Sequence, residues 1–343
     1  MQKAGKMTTK RKITSQDVAD LAGVSRSAVS RSFTPGSYVS ENVRTRVLAA
    51  AKELGYLPNI LARGLIAGSS GLVALIIGPM TSPQDAPLIE VVTRLLGEQG
   101  KRALLVPIPT GGLADEGLLQ ALSYQVEAAI VFAGTVAAAA AERCTRIGTH
   151  LTLFGRYIGE AGTSSVIYDN PTSADAATRL LIRGGHRKIG YIGTRHRAFS
   201  DRERHDAASA VLAEYGMHFH CYGEGDYGHD SGFHAAMAML NTMDPPDAIF
   251  ASNDAMALGV IDAARVLGIA IPDQLAVVGI DDHPMGSWPA YRLTSWGAKI
   301  DVLGDAIIRA TFDKESLPCD RANVHMLRVP LYPALRDSTR RLD

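Results

Sequence analysis

Residues 13–34, ITSQDVADLAGVSRSAVSRSFT, read as two short helices joined by a tight turn, the shape with which a protein enters a DNA major groove. Thr14 or Ser15 can cap the first helix, with Asp17 placed to support the exposed amides of its first turn, and Val18, Ala19 and Leu21 form its apolar face. Gly23 breaks it. Ser25 stands where a second cap belongs, and Val29 with Phe33 would hold the second helix against the first. The outer face is left polar and short. Ser25, Arg26, Ser27 and Ala28 open the second helix and are the candidate readers of base edges. Thr14, Ser30 and Arg31 are placed for the sugar-phosphate backbone.

Working outward, Ser40 is positioned to cap a third helix whose apolar residues Val43, Val47, Leu48, Ala51 and Leu54 follow helical spacing. The breaker Gly55-Tyr56-Leu57-Pro58-Asn59 ends it, a short amphipathic piece from Ile60 to Ala67 follows, and Gly68-Ser69-Ser70-Gly71 closes the region. Residues 38–77, YVSENVRTRVLAAAKELGYLPNILARGLIAGSSGLVALII, resemble the LacI/GalR family of bacterial transcription regulators at almost every punctuating residue. The expected organisation is a basic arm at 1–12, a helix-turn-helix headpiece at 13–57, a hinge helix or linker at 58–70 and a two-lobed domain at 71–339.

Charge supports that division. Residues 1–70 hold 11 Lys and Arg against 4 Asp and Glu, whereas the remainder holds 24 against 31, so a neutral total hides two opposed parts. Only the N-terminal part is built for phosphate. Lys3, Lys6, Lys10, Arg11 and Lys12 read as a solvated arm, and Met7 is a second candidate start. No apolar run approaches membrane-spanning length, and the charged N-terminus passes into the first helix without a signal-like segment, which predicts a cytoplasmic protein. Cys144, Cys221 and Cys319 lack metal or redox spacing and read as reduced and structural.

Beyond Gly71, short β-rich runs alternate with amphipathic helices, the pattern of parallel sheets covered on both faces. GLVALII, ALLVPI, AAIVFAG and LTLF read as the strands of one lobe, with helices at 88–99, 113–124 and 136–147. A helix at 172–183 opens the other, followed by KIGYIG, a helix at 205–215, HFHCYG, a helix at 231–243, DAIFAS, a helix at 255–267 and LAVVGI. The fold class is thus an all-α headpiece plus an α/β effector domain like the periplasmic binding proteins. Residues 301–314 and then VHMLRVPLYPALRDST should return to the first lobe, with three crossing strands as the hinge.

The resemblance carries ligand positions over one at a time. It implies that Asn253 of ASNDAMALGV, Asp281 of VVGIDD, Arg204 with Arg202 two residues before it, Tyr227 and Asp169 line an effector pocket. Asn253 and Asp254 can equally be a helix cap, and Arg204 can pair with Asp281 across an empty cleft. Ala207, Ala208, Trp296 and Ala298 depart from the family pattern, so the ligand's identity is not inherited. The resemblance also implies that paired hinge segments widen a minor groove, with Leu65 as the wedge, Ala62 its small companion and Asn59 and Arg63 the polar flank. Gly64 weakens that helix by about 1 kcal/mol relative to Ala, which predicts order only with DNA and a partner chain present.

The expectation is therefore a homodimeric, sequence-specific regulator, read as a repressor, on pseudo-palindromic double-stranded operator DNA, controlled by a small polar effector such as a sugar or sugar derivative. An activator with a non-sugar effector is the alternative. An enzyme is the remoter one, since Walker and GxSxG patterns are missing. His218, His220, Cys221 and His229 lack a partner acid at metal-ligand spacing, so neither a metal nor a cofactor is expected. Only four residues follow Thr339, too few for a tetramerising helix.

Overall fold

The computed structural model describes residues 13–34, 36–58, 70–78, 85–109, 114–132, 136–194, 198–320 and 324–340. The expected arm and the hinge residues Asn59, Ala62, Arg63 and Leu65 lie outside these. The chain divides into two compact units, 1–70 and 71–343.

In the first unit, helices α1 (Ser15–Ala22), α2 (Arg26–Ser32) and α3 (Glu41–Leu54) enclose a small core of Val18, Ala19, Ala22, Val29, Val47, Ala50 and Ala51. A reciprocal capping box fixes the start of α1: the Asp17 amide donates to Thr14 Oγ1 at 3.4 Å and the Thr14 amide to Asp17 Oδ2 at 2.8 Å. Gly23, at φ +60°, ends the helix, and the Arg46 guanidinium from α3 donates to the freed carbonyls of Ala22 and Gly23. Phe33 stacks on Tyr56 at 6.0 Å, closing the bundle. Leu21 and Leu48, expected inside, are 48% and 45% exposed; Ala22 and Ala50 occupy the buried positions, because helices this short approach closely only through small side chains. Ser40 flanks α3 but its side chain makes no capping bond.

The second unit contains two six-stranded sheets. The first runs β2 (Arg102–Pro107), β1 (Leu72–Ile77), β3 (Ala128–Val131), β4 (His150–Phe154), β5 (Thr163–Tyr168) and β11 (His325–Val329), all parallel. Alternate residues of β1 serve opposite cores. Val73 and Leu75 meet α4 (Asp85–Glu98) and α11 (Ile300–Phe312), while Ala74 and Ile76 meet α5 (Ala114–Leu122) and α6 (Ala138–Arg146). The second sheet runs β7 (Cys221–Gly225), β6 (Ile189–Thr194), β8 (Ala248–Ala251), β9 (Ala276–Ile280), β10 (Thr294–Gly297) and β12 (Tyr332–Ala334), with only β12 antiparallel. One face carries α7 (Asn170–Arg183) and α8 (Phe199–Glu214), the other α9 (His229–Leu240) and α10 (Asp254–Val266).

Three passages of chain join the lobes, after Tyr168, after Gly297 and after Val329, and the Asp169 amide donates to the Val329 carbonyl at 2.9 Å, tying two of them together. The C-terminal stretch therefore splits. VHMLRV returns to the first sheet, but YPA joins the second, and Ser338 locks it there by accepting from the Thr294 amide and donating to the Val277 carbonyl. Two boundaries differ from expectation, β7 starting at Cys221 rather than His218 and α8 at Phe199 rather than His205, and β5 and β10 are additional strands. Of the cysteines, Cys144 is buried core, but Cys319 is exposed.

Candidate effector cleft and nucleic-acid face

In the headpiece, the Ala28 amide donates to Ser25 Oγ at 3.2 Å, so Ser25 is the cap of α2. Its hydroxyl also lies 2.9 Å from that of Ser27, and Arg31 Nε donates to the Ser27 carbonyl at 3.3 Å. Thr14, Ser25, Arg26, Ser27, Ser30 and Arg31 are exposed and Ala28 is half-buried, while Val29 and Ser32 turn inward. Arg26 forms no hydrogen bond or ion pair among the described residues. The open end of α2 thus presents a free guanidinium, hydroxyls and unused helix N–H groups on one surface, which suits base edges and phosphate oxygens.

In the second unit, the C-terminal ends of both sheets converge, as open α/β folds arrange for ligands. Arg204, on α8, is 3% exposed. Its Nε donates to Asn170 Oδ1 at 2.8 Å, its Nη1 to the Ser252 carbonyl, and its Nη2 lies 4.0 Å from Asp281 Oδ1, while the guanidinium covers the Tyr168 ring at 5.9 Å. Asp281 leaves the end of β9 at φ +134°, a backbone region that L-residues rarely adopt. The local packing imposes it. The Asp281 amide donates to the Trp296 carbonyl at 2.7 Å, and buried Asp254 accepts from the His283 amide and from Ser295 Oγ, each at 2.6 Å.

Asn253 realises the capping alternative: Oδ1 accepts from the Met256 amide at 3.0 Å and Nδ2 donates to the Tyr227 carbonyl at 3.0 Å. That bond also fixes Tyr227, held at φ +70°, so the cap orients one wall of the cleft. Burial pushes the Tyr227 phenol up to about 12, keeping it a neutral donor. Asp169 caps α7 at a lobe crossing, with the Thr172 amide 3.4 Å from Oδ1. Arg202 is not drawn into the cluster; it is exposed, with its guanidinium over the Phe199 ring at 5.8 Å. Trp296 is also no pocket wall but core of the second sheet.

Sequence reasoning missed Tyr168, whose phenol burial raises well above its ordinary value, and Arg156, just past β4. It also missed Glu203. Asn170 Nδ2 donates to Glu203 Oε2 at 3.0 Å, and Glu203 pairs with Arg328 of β11 at 2.7 Å, so a polar chain runs from Arg204 to a strand of the opposite lobe. Asp201, buried on the same helix, accepts from the Tyr191 hydroxyl at 2.8 Å and from the Thr194 amide at 3.1 Å, which anchors α8 to β6.

The Asp281 carboxyl is raised above the usual range, chiefly because burial disfavours its charge; Arg204 opposes the shift and Asp254 adds to it. A bound hydroxyl donating to this group favours the ionised form and lowers its pKa. Ligand binding should therefore release a proton, and affinity should rise with pH until the free carboxyl is fully ionised. Calorimetry in two buffers of different ionisation enthalpy should detect the proton; a binding heat independent of buffer would place Asp281 outside the contact.

Chemically, a carboxylate, a guanidinium and two neutral phenols at the mouth of two sheets can bind adjacent hydroxyls and stack on a ring. Among the described residues no group of three or more His, Cys, Asp or Glu side chains could hold a metal ion. No described helix is long and apolar enough to cross a membrane.

Comparison with known proteins identifies both parts of the chain. Residues 14–59 match the model of bacterial regulatory proteins of the lacI family, and residues 178–339 that of the periplasmic binding protein-like domain. The ribose operon repressor of Escherichia coli (strain K12) is 30% identical over 330 residues, covering 94% of this chain and 98% of that protein. A crystal structure of the lac repressor dimer bound to operator and the anti-inducer ONPF superposes with a TM-score of 0.84 at 23% identity, covering 96% of this chain and 99% of that one. A CelR–cellobiose complex gives 0.68 at 27% identity, covering 95% and 100%. With a helix-turn-helix head and a two-lobed α/β domain in one chain, this protein belongs to the lacI family of bacterial regulatory proteins and is a DNA-binding transcriptional regulator.

Proposed function

We propose that the protein is a cytoplasmic, homodimeric repressor whose hold on a pseudo-palindromic operator is set by a sugar or sugar derivative bound between its lobes. The observation that carries the reading is the convergence of Arg204, Asp281, Tyr168 and the Asn253-fixed Tyr227 at the C-terminal ends of two sheets. Relatives support the ligand class, since one is named for the ribose operon and a solved relative holds cellobiose. Dimerisation on operator is drawn from the lac repressor structure. Two-fold protein symmetry calls for two-fold symmetry in the site.

On this reading, Ser25, Arg26, Ser27 and Ala28 meet base edges, and Thr14, Ser30 and Arg31 fix the register on phosphates. Asn59, Ala62, Arg63 and Leu65 form the minor-groove hinge, with Leu65 between base steps. Ligand closes the lobes about their three crossings, and the coupling to DNA is reciprocal. Gel shifts with competitor DNA at rising salt, with and without a sugar panel, test the whole: binding that no sugar alters and that prefers no sequence would refute it. Leu65→Ala should abolish specific binding while leaving effector affinity unchanged, as read by gel shift and calorimetry. Equal losses in both would count against the hinge.

A further inference from the structure

Glu203 and Arg328 form an ion pair between the lobes. Glu203 belongs to α8, which packs on the second sheet, and Arg328 to β11, an edge strand of the first. The pair is two-pronged: Arg328 Nη2 donates to Oε1 at 2.7 Å and Nη1 to Oε2 at 3.2 Å, a geometry that fixes direction as well as distance. Oε2 also accepts from Asn170 Nδ2 at 3.0 Å. The other end of that amide is taken as well, since Asn170 Oδ1 accepts from Arg204 Nε at 2.8 Å and the residue is wholly buried. It can sit only one way. A flip would set its NH2 group against the guanidinium and its oxygen against the carboxylate, so Arg204, Asn170, Glu203 and Arg328 are joined in a fixed order, cation to amide to anion to cation.

This chain runs along the passages between the lobes. Asn170 follows the crossing after Tyr168, and Arg328 directly precedes Val329, whose carbonyl accepts from the Asp169 amide. Arg204 lies between the Tyr168 ring and Asp281, and the Asp281 turn abuts Gly297, where the third crossing begins. What Arg204 holds therefore bears on all three. Neutral packing near a hinge tolerates small slides, whereas a two-pronged pair has one geometry and loses it when the two strand ends rotate. We propose that Glu203 and Arg328 are positioning residues, their pair made in one arrangement of the lobes and broken in the other, so that it sets how readily the effector moves the hinge. The inference rests on the cleft being the effector site and adds a switch that ligand filling works against or with.

The test sets Arg328→Met beside the unaltered full chain and reads two affinities. Gel shifts use a pseudo-palindromic duplex selected by the full chain from a random pool, and calorimetry uses ribose, cellobiose and galactose. A partly exposed, two-pronged pair present in only one arrangement should shift the balance by about 3- to 10-fold. Both affinities should move within that range, in opposite senses if the sugar releases the duplex and in the same sense if it strengthens the hold, because the coupling is reciprocal. Glu203→Gln added to Arg328→Met should change nothing further, since one pair is lost once. Arg328→Lys, which keeps one charged bond but not the fork, should fall between. Ser200 Oγ still donates to the Gly155 carbonyl at 3.1 Å and Phe199 still lies 5.9 Å from the Tyr157 ring, so α8 stays tied to the first lobe in each variant. Affinities that hold within about twofold while only the melting temperature falls, or single effects that simply add, would overturn the inference and make the pair structural. Should no sugar bind, the effector reading falls, and the operator affinity alone still decides whether the pair biases the lobes.

Discussion

Replacing Arg204 with alanine should erase the effector response and lower the melting temperature of the free protein, yet leave operator binding intact. The side chain is buried and has three dependants: Asn170 Oδ1, the Ser252 carbonyl and the Asp281 carboxylate. Removing it strands two acceptors and leaves Asp281 beside Asp254 without the cation that eases its ionisation. Breaking a buried pair from one side costs about 3 kcal/mol, or roughly 6–12 °C for a domain of this size. The exposed face of α2 lies in the other compact unit, so a gel shift without effector should be unchanged.

Stability and response can then be separated. Asp281→Asn removes the group that burial penalises, so by itself it should raise the melting temperature of the effector-free protein while weakening ligand binding. The sign follows from its raised pKa: such a carboxyl favours the fold when protonated, and that contribution is lost as pH rises through the folded-state value. Added to Arg204→Ala, it should recover part of the lost stability and none of the response. An Arg204→Ala protein that still releases DNA on adding effector would remove Arg204 from the site.

What the sequence disclosed follows the range of the forces involved. The headpiece was legible because its ends are fixed by residues within four positions of one another: Thr14 with Asp17, Ser25 with Ala28, and Gly23 and Gly55 at positive φ. The apolar strands of both sheets were legible because burial on two faces makes them continuous runs, as in LVALII and AVVGI. The first turns of α8 were not, because Asp201 and Arg204 are polar residues turned inward, so no amphipathic period marks the start. Thr163–Tyr168 hid for a related reason: three of its five buried residues are Thr or Ser. The pocket positions that the family resemblance supplied came together at Arg204, Asp281, Asn253 and Tyr227, whereas Arg202 followed its neighbour only in sequence.

Gly297→Ala should damage effector binding without touching a ligand-binding side chain. Gly297 ends β10 beside the Asp281–Asp282 turn, and a Cβ there would stand 2.7 Å from the Asp281 carbonyl carbon and closer still to its oxygen and to Asp282 Cβ. The obstacle is mainly backbone, so a rotamer change alone cannot relieve it. The turn has little freedom to retreat, because Asp281 at φ +134° and Asp282 at φ +51° are already held in unusual conformations by the Trp296 carbonyl, the Ser295 hydroxyl and Arg336. Overpacking of this kind costs about 1–3 kcal/mol, and the displaced carboxylate should weaken effector binding by about 100-fold, the effect of misplacing a positioned group by an ångström. Asp254 gives an internal control. Its bonds to Ser295 and the His283 amide hold the same turn from below, so Ser295→Ala, which removes the bonds of that hydroxyl to Asp254 and to the Asp282 amide but adds no bulk, should move affinity in the same direction by a smaller factor. If Gly297→Ala lowers the melting temperature while effector affinity stays at the wild-type value, the strained turn serves folding alone and Asp281 is not presented by it.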